Sequence, residues 1–231
     1  MQELIKNNIA QVKARIATAA ERCGRAPESI RLVAVAKTHP AEAVQAAVAA
    51  GATIIGENYI QEARTKFDAL IHLPVQWHFI GHLQSNKARY AVRLFQLIHT
   101  VDSIHLATEL DHQARKAGKV QQILIQVNVS RESSKSGVDE QGVVSLASGL
   151  VRMPHIRVKG LMTMPPYFDD PERARPYFAA LRRLRDQVRS LALPNIDMDE
   201  LSMGMTGDFE AAIEEGATLV RVGTAIFGGR P

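Results

Sequence analysis

A single cysteine, Cys23, stands among 231 residues, which excludes an internal disulfide framework and fits a reducing compartment. No long uncharged tract occurs although 46% of the residues are hydrophobic, so a core can be buried without a membrane span. The opening Met1-Gln2-Glu3-Leu4-Ile5-Lys6-Asn7-Asn8 is polar where a secretory signal needs an apolar run, and a cytoplasmic location is expected. No Ser/Gly linker, charge block or low-complexity tract interrupts the chain, so residues 1–231 are expected to form one domain. A Gly-x-Gly-x-x-Gly loop after the first strand is missing, which weakens a dinucleotide-binding open sheet. His78 and His82 lack the cysteines or carboxylates that would complete a metal site.

What charge there is runs mildly basic, at a formal +4, which raises the question of a nucleic-acid partner. The densest basic stretch is Arg173, Arg175, Arg182, Arg183, Arg185 and Arg189. Between these arginines Phe178, Leu181, Leu184, Val188 and Leu191 recur at helical spacing. A solvated helix face opposite a core face accounts for the pattern, and nucleic-acid binding is not expected.

Helical and strand-like patterns alternate along the whole chain. An amphipathic helix ends near Cys23-Gly24 and a first strand covers residues 31–37; Pro40 can start the following alanine-rich helix and Gly51 can stop it. Further strands are predicted at 53–56, 76–80, 96–101, 123–129, 156–162, weakly around 200–202, and at 218–222. Eight short apolar strands separated by helices imply parallel pairing with crossovers, and eight in this length favour closure. The expected fold is a single (β/α)8 TIM-like barrel with an extra N-terminal helix; an open doubly wound sheet is the alternative.

In such a barrel, alternation puts Val33, Val35 and Lys37 on one face of the first strand, with Lys37 at its C-terminal end. Active sites of this fold gather at that end. Two Gly- and hydroxyl-bearing turns, Ser202-Met203-Gly204-Met205-Thr206 and Gly223-Thr224, follow strands seven and eight, where a phosphate site is commonly built. Strand eight alternates Leu219, Arg221 and Gly223 on one face. Wherever that face points, the guanidinium needs partners: a polar ligand, or a carboxylate such as Glu210 or Glu214. A lysine nucleophile, a phosphate cradle and an arginine together describe a site for a phosphorylated aldehyde held as an imine, and pyridoxal 5′-phosphate (PLP) fits all three.

Several stretches in order carry a family resemblance: residues 35–38, Gly56-Glu57-Asn58, residues 77–87, Ser134-Lys135-Ser136-Gly137, Gly160-Leu161-Met162, residues 201–205 and residues 220–228. Through them nearly the whole chain resembles the YggS/PROSC-type PLP homeostasis proteins, whose barrel is similar to the N-terminal domain of alanine racemase. The resemblance implies that Lys37 forms a Schiff base with PLP, that Asn58 lies near the ring hydroxyl and that Arg221 faces the pyridine nitrogen. Ser202, Met203, Gly204, Gly223 and Thr224 would form the phosphate site. Ala36, His39 and Gly207 depart from the family's usual Ser, Lys and acidic residue, which touches the loops rather than the imine. A protonated arginine donating to the ring nitrogen keeps that nitrogen unprotonated, so the cofactor is a poor carbanion sink.

A non-enzymatic carrier that limits free PLP and hands it to PLP-dependent apoenzymes is therefore the expected function, with a monomer implied by the resemblance. An amino-acid racemase is the alternative. It needs a second base opposite Lys37, and of Tyr59, Tyr90, Tyr167 and Tyr177 only Tyr59, beside Asn58, draws attention. A class I aldolase would instead form its imine with the substrate. Glu57 reads either as a general base or as a carboxylate paired to a lysine. Lys135 reads either as a second amine for the aldehyde or as a solvated loop lysine.

Overall fold

The computed structural model describes residues 1–130, 132 and 136–229; Lys135 lies outside them. Eight parallel strands close into a barrel in sequence order: β1 (Arg31–Val35), β2 (Ile54–Glu57), β3 (Gln76–Phe79), β4 (Leu97–Val101), β5 (Gln121–Gln126), β6 (Ile156–Met162), β7 (Ile196–Ser202) and β8 (Leu219–Val222). The expected (β/α)8 barrel is thus the observed one, and β8 pairs with β1 to close it. Around it run α1 (Gln2–Arg22), α2 (Ala41–Ala49), α3 (Ile60–Leu70), α4 (Ala88–Leu94), α5 (Ile104–Lys116), α6 (Gly142–Leu150), α7 (Arg175–Ser190), α8 (Phe209–Glu214) and α9 (Thr224–Phe227). No described helix is long and apolar enough to cross a membrane.

The N-terminal helix has a structural task. Among the described residues, β8 leads into the single turn of α9 rather than a long helix. α1 packs against α2, α8 and α9 instead, burying Ile5, Ile9, Val12, Ile16, Ala19 and Ala20 along one stripe. Its Arg15 reaches Glu210 at 2.6 Å and lies 4.5 Å over the Phe209 ring.

α7 behaves as its spacing predicts. Phe178, Leu181, Leu184 and Val188 face the core, whereas Leu191, just past the helix, is exposed. Strand limits differ from the sequence pattern at two places that matter. β1 stops at Val35, because the chain turns at Ala36 and the His39 N–H donates to the Ala36 carbonyl. β7 is a full seven-residue strand rather than a short one. Its sequence looks weak because Asp197 is polar, yet that carboxylate pairs with Arg157 and Lys159 on β6, as neighbouring strands permit.

The barrel interior is a packed core. Val33, Ile54, Leu97, Leu124, Met162 and Leu219 form an apolar cluster separate from the layer between sheet and helices. On the same inner surface lies a chain of buried polar groups contributed by β3, β4, β7 and β8.

Candidate functional site

That polar chain begins at Arg221. Because Leu219 belongs to the interior cluster, alternation turns Arg221 inward, where it is 4% exposed. Its guanidinium donates to Ser202 Oγ at 2.6 Å and to the Thr163 carbonyl at 2.8 Å. Ser202 Oγ lies 2.9 Å from His99 Nδ1, and His99 Nε2 lies 3.0 Å from His78 Nδ1. Four strands are thereby joined across the barrel by groups that satisfy one another, as burial of polar atoms requires.

Burial sets the ionisation of these groups. Desolvation, with Arg31 adding to it, lowers His78 to about 3. Desolvation, then His78 and Arg221, hold His99 well below the usual imidazole range. Both rings are neutral at pH 7. Desolvation also lowers Arg221 to about 10, against the attraction of Asp208, so this guanidinium stays charged. The carboxylates that sequence reading offered it are engaged elsewhere: Glu210 with Arg15 and Glu214 with Arg175.

Above Arg221, at the C-terminal end of the barrel, a cavity of about 300 Å³ opens, lined by Val35, Lys37, Asn58, Arg221, Gly223 and Thr224 among others. Lys37 therefore reaches the mouth although the strand ends two residues before it. Asn58 follows β2 directly, and its Oδ1 is buried without a hydrogen-bond partner among the described residues. Gly81 fixes this corner, since a Cβ there would stand 2.2 Å from the Asn58 carbonyl oxygen.

Five of the eight predicted site residues, Lys37, Asn58, Arg221, Gly223 and Thr224, share this one cavity. Ser202, Met203 and Gly204 do not line it. Ser202 Oγ is taken up by Arg221 and His99, and Met203 is fully buried in the outer core. Gly204 holds φ 89° against α8, where a Cβ would meet the Ala212 Cβ at 2.6 Å. The turn after β7 lines the cavity one step later, through Met205, Thr206, Gly207 and Asp208. Asp208 Oδ1 accepts the Met205 N–H at 2.6 Å and so shapes that turn.

Sequence reading also missed Met164, Pro166, Tyr167 and Phe168, which line the cavity from the connection between β6 and α7. The Pro165-Pro166 pair was the available signal of a stiff loop. Phe168 anchors it by stacking on Tyr177 at 5.9 Å and lying under Arg173 at 4.7 Å. An adjoining cavity of about 450 Å³ shares Asn58 and Tyr167 with the first and adds His82, Gln126 and Asn128. Tyr59 is 59% exposed and lines neither. Glu57 proves to be the lysine-paired carboxylate, 2.7 Å from Lys66; burial pushes it up to about 7 against the pull of that ammonium.

A family model described as the alanine racemase N-terminal domain matches residues 7–231. A Pseudomonas aeruginosa protein named pyridoxal phosphate homeostasis protein is 47% identical over 98% of this chain and 96% of its own length. The chain belongs to the pyridoxal phosphate homeostasis protein family. A solved structure of PipY from Synechococcus elongatus, with PLP bound, superposes with a TM-score of 0.85 at 36% identity, covering 97% of this chain and all of that one. Alanine racemase from Corynebacterium glutamicum shares the fold, with a TM-score of 0.75 at 21% identity over 99% of this chain and 62% of that enzyme.

The residues present suit a phosphorylated pyridine aldehyde. A buried, unpartnered amide oxygen on Asn58 calls for a donor such as a ring hydroxyl. Arg221 has five N–H donors, of which two are used among the described residues.

Proposed function

We propose that this chain binds PLP at the barrel mouth as a Schiff base on Lys37 and acts in homeostasis of that cofactor, as a carrier or buffer without strong catalytic activity. The observation that carries the reading is the convergence of Lys37, Asn58 and Arg221 on one cavity. The Lys37 amine adds to the aldehyde carbon and water leaves, a reversible exchange suited to loading and release. Asn58 Oδ1 accepts from the ring hydroxyl and Arg221 donates to the ring nitrogen. Gly223 and Thr224, with the turn after β7, hold the phosphate. Ser202, Met203 and Gly204 serve by placing that turn, and Ser202 also by orienting Arg221.

Arg221 is the reason to expect little chemistry. It stays charged, so the nitrogen it faces stays unprotonated, and electron withdrawal from a bound amine's α-carbon is weak. The PLP-bound PipY and the relatives named for PLP homeostasis support the cofactor and the role. The proposal takes residues 1–231 as one PLP-binding domain, monomeric and cytoplasmic, that delivers PLP to apoenzymes.

Borohydride reduction in the presence of PLP, followed by intact-mass analysis and peptide mapping, tests this reading. One stable adduct on Lys37 is expected, and none in Lys37→Ala. A label elsewhere, or none at saturating PLP, overturns it. The racemase reading has one observation in its favour, the Tyr167 phenol at the cavity edge. Tyr167 is 86% exposed, however, whereas a second base has to be held within hydrogen-bond reach of the proton it moves. Conversion of single-enantiomer alanine to its mirror form, lost in Lys37→Ala, would establish that activity.

A further inference from the structure

Lys37 occupies a turn whose two flanking peptide groups are both held by one helix. On its N-terminal side the Ala36 carbonyl accepts from Lys66 Nζ at 2.7 Å. On its C-terminal side the Thr38 N–H donates to both carboxylate oxygens of Glu62, at 3.0 and 3.2 Å. Glu62 and Lys66 stand four residues apart on α3 and so share one face. Lys66 reaches a third point as well, Glu57 Oε1 at 2.7 Å, and Glu57 immediately precedes Asn58.

The turn needs holding. Thr38 has φ 67°, a left-handed conformation that a β-branched residue keeps only when its surroundings impose it. Lys66 is 5% exposed, and a buried ammonium is retained only where several acceptors compensate its lost hydration. Neither Glu62 nor Lys66 lines the cavity, so neither can touch a ligand there. Their contacts converge on the backbone beside Lys37 and on the residue before Asn58.

We propose that Glu62 and Lys66 are positioning residues, a clamp from α3 that fixes the direction in which Lys37 and Asn58 are presented to the aldehyde. The clamp rests on the cofactor reading above. Amine addition to a carbonyl is sensitive to approach, and a displacement of about 1 Å can cost up to about a hundredfold. Rigid main-chain anchoring on both sides of the amine limits that loss.

The test uses the full chain and four variants: Glu62→Leu, Glu62→Gln, Lys66→Met and, as a remote control, Leu110→Ala in the buried face of α5. PLP affinity is read by absorbance titration and the geometry of the bound chromophore by visible circular dichroism. Hydrogen exchange of the Thr38 amide is read without PLP. Glu62→Leu and Lys66→Met are expected to weaken PLP binding about tenfold, the scale of one lost charge-assisted hydrogen bond, and to alter the dichroic band. Faster Thr38 exchange is expected in Glu62→Leu. Glu62→Gln keeps an acceptor oxygen and stays within about twofold of wild type. Leu110→Ala lowers Tm and leaves affinity unchanged. Should Lys66→Met fail to fold, the partly exposed Glu62 pair decides alone. Unchanged binding and exchange in Glu62→Leu overturn the clamp, as does an equal loss of affinity in Leu110→Ala. If the wild type takes no label on Lys37, the cofactor reading falls and the clamp with it; a labelled wild type with unaffected variants overturns the clamp only.

Discussion

Arginines serve opposite purposes on the two sides of this barrel. On the outside, Arg175 meets Glu172, Glu214 and Glu215, Arg182 meets Glu215, and Arg189 meets Asp199. Each of these three arginines has a carboxylate, and their charge is neutralised where it stands. Inside, Arg221 is buried and makes no ion pair among the described residues; its protein partners are a hydroxyl and a carbonyl. Neutral partners satisfy donors without cancelling charge, so the guanidinium remains available to a ligand atom in the cavity. Arginine content alone is thus no guide to function, whereas the nature of the partner is.

The largest test of this contrast replaces the interior cation. Arg221→Met keeps much of the volume and removes the charge and the donors. PLP affinity, measured by absorbance titration, is expected to fall by on the order of a hundredfold, as for a lost charged hydrogen bond in a dry site. Affinity within twofold of wild type would mean that the guanidinium faces no ligand.

Next in size is the pH dependence created by the neutral interior. A group whose pKa is lowered on folding binds fewer protons in the native state, so stability falls as pH drops from the unfolded toward the folded pKa. For His78 that window runs from 6.5 to about 3, and His99 acts with the same sign. Glu57 opposes them: its pKa rises from 4.5 to about 7, so its contribution is complete below 4.5 and is lost as pH rises through 7. The two histidines outweigh the one carboxyl, and the protein is expected to be less stable at pH 5 than at pH 7. In His78→Gln the difference shrinks, as chemical denaturation at the two pH values would reveal; an unchanged difference would assign it to other groups.

Much of this architecture was legible in the residues, and what was not has specific causes. The alternation Leu219, Arg221, Gly223 identified a shared face, and the structure shows that face to be the inner one. Lys37 was correctly located at the mouth even though β1 is two residues shorter than its pattern, because the turn at Ala36 keeps it beside the strand end. Where the Ser202 hydroxyl points is a matter of parity. Its Ser-Met-Gly context resembles a phosphate turn, yet β7 extends through Ser202, so its hydroxyl points into the barrel toward Arg221. Tyr167 and Phe168 could not be found, since a loop's position over a cavity depends on anchors such as Tyr177 that lie beyond any local pattern. Glu62 and Lys66 look like an ordinary surface pair at helical spacing, and only the folded chain brings them to either side of Lys37.

Ser202→Ala probes the link between Arg221 and the histidines. It removes an acceptor from the guanidinium and a partner from His99, two buried groups at once, so a loss of about 2–3 kcal/mol in unfolding free energy is expected. PLP affinity should fall only several-fold, since the charge of Arg221 and its bond to the Thr163 carbonyl remain. A loss of affinity as large as that of Arg221→Met would instead make the hydroxyl a direct ligand contact.

The smallest effect belongs to the exterior. Arg182 is paired with Glu215 at 3.0 Å, but its side chain is 46% exposed and Glu215 also has Arg175. Exposed pairs gain little against hydration and side-chain entropy, so Arg182→Ala should change stability by less than about 1 kcal/mol, with the difference shrinking further in high salt. PLP affinity should not move. The comparison is sharpest here, because the substitution removes the same guanidinium as Arg221→Met does. If both lowered affinity, the relevant quantity would be the protein's overall positive potential drawing in a phosphorylated ligand, and that loss would disappear at high ionic strength. A decrease confined to Arg221 and persisting in salt would tie recognition to one desolvated contact inside the barrel.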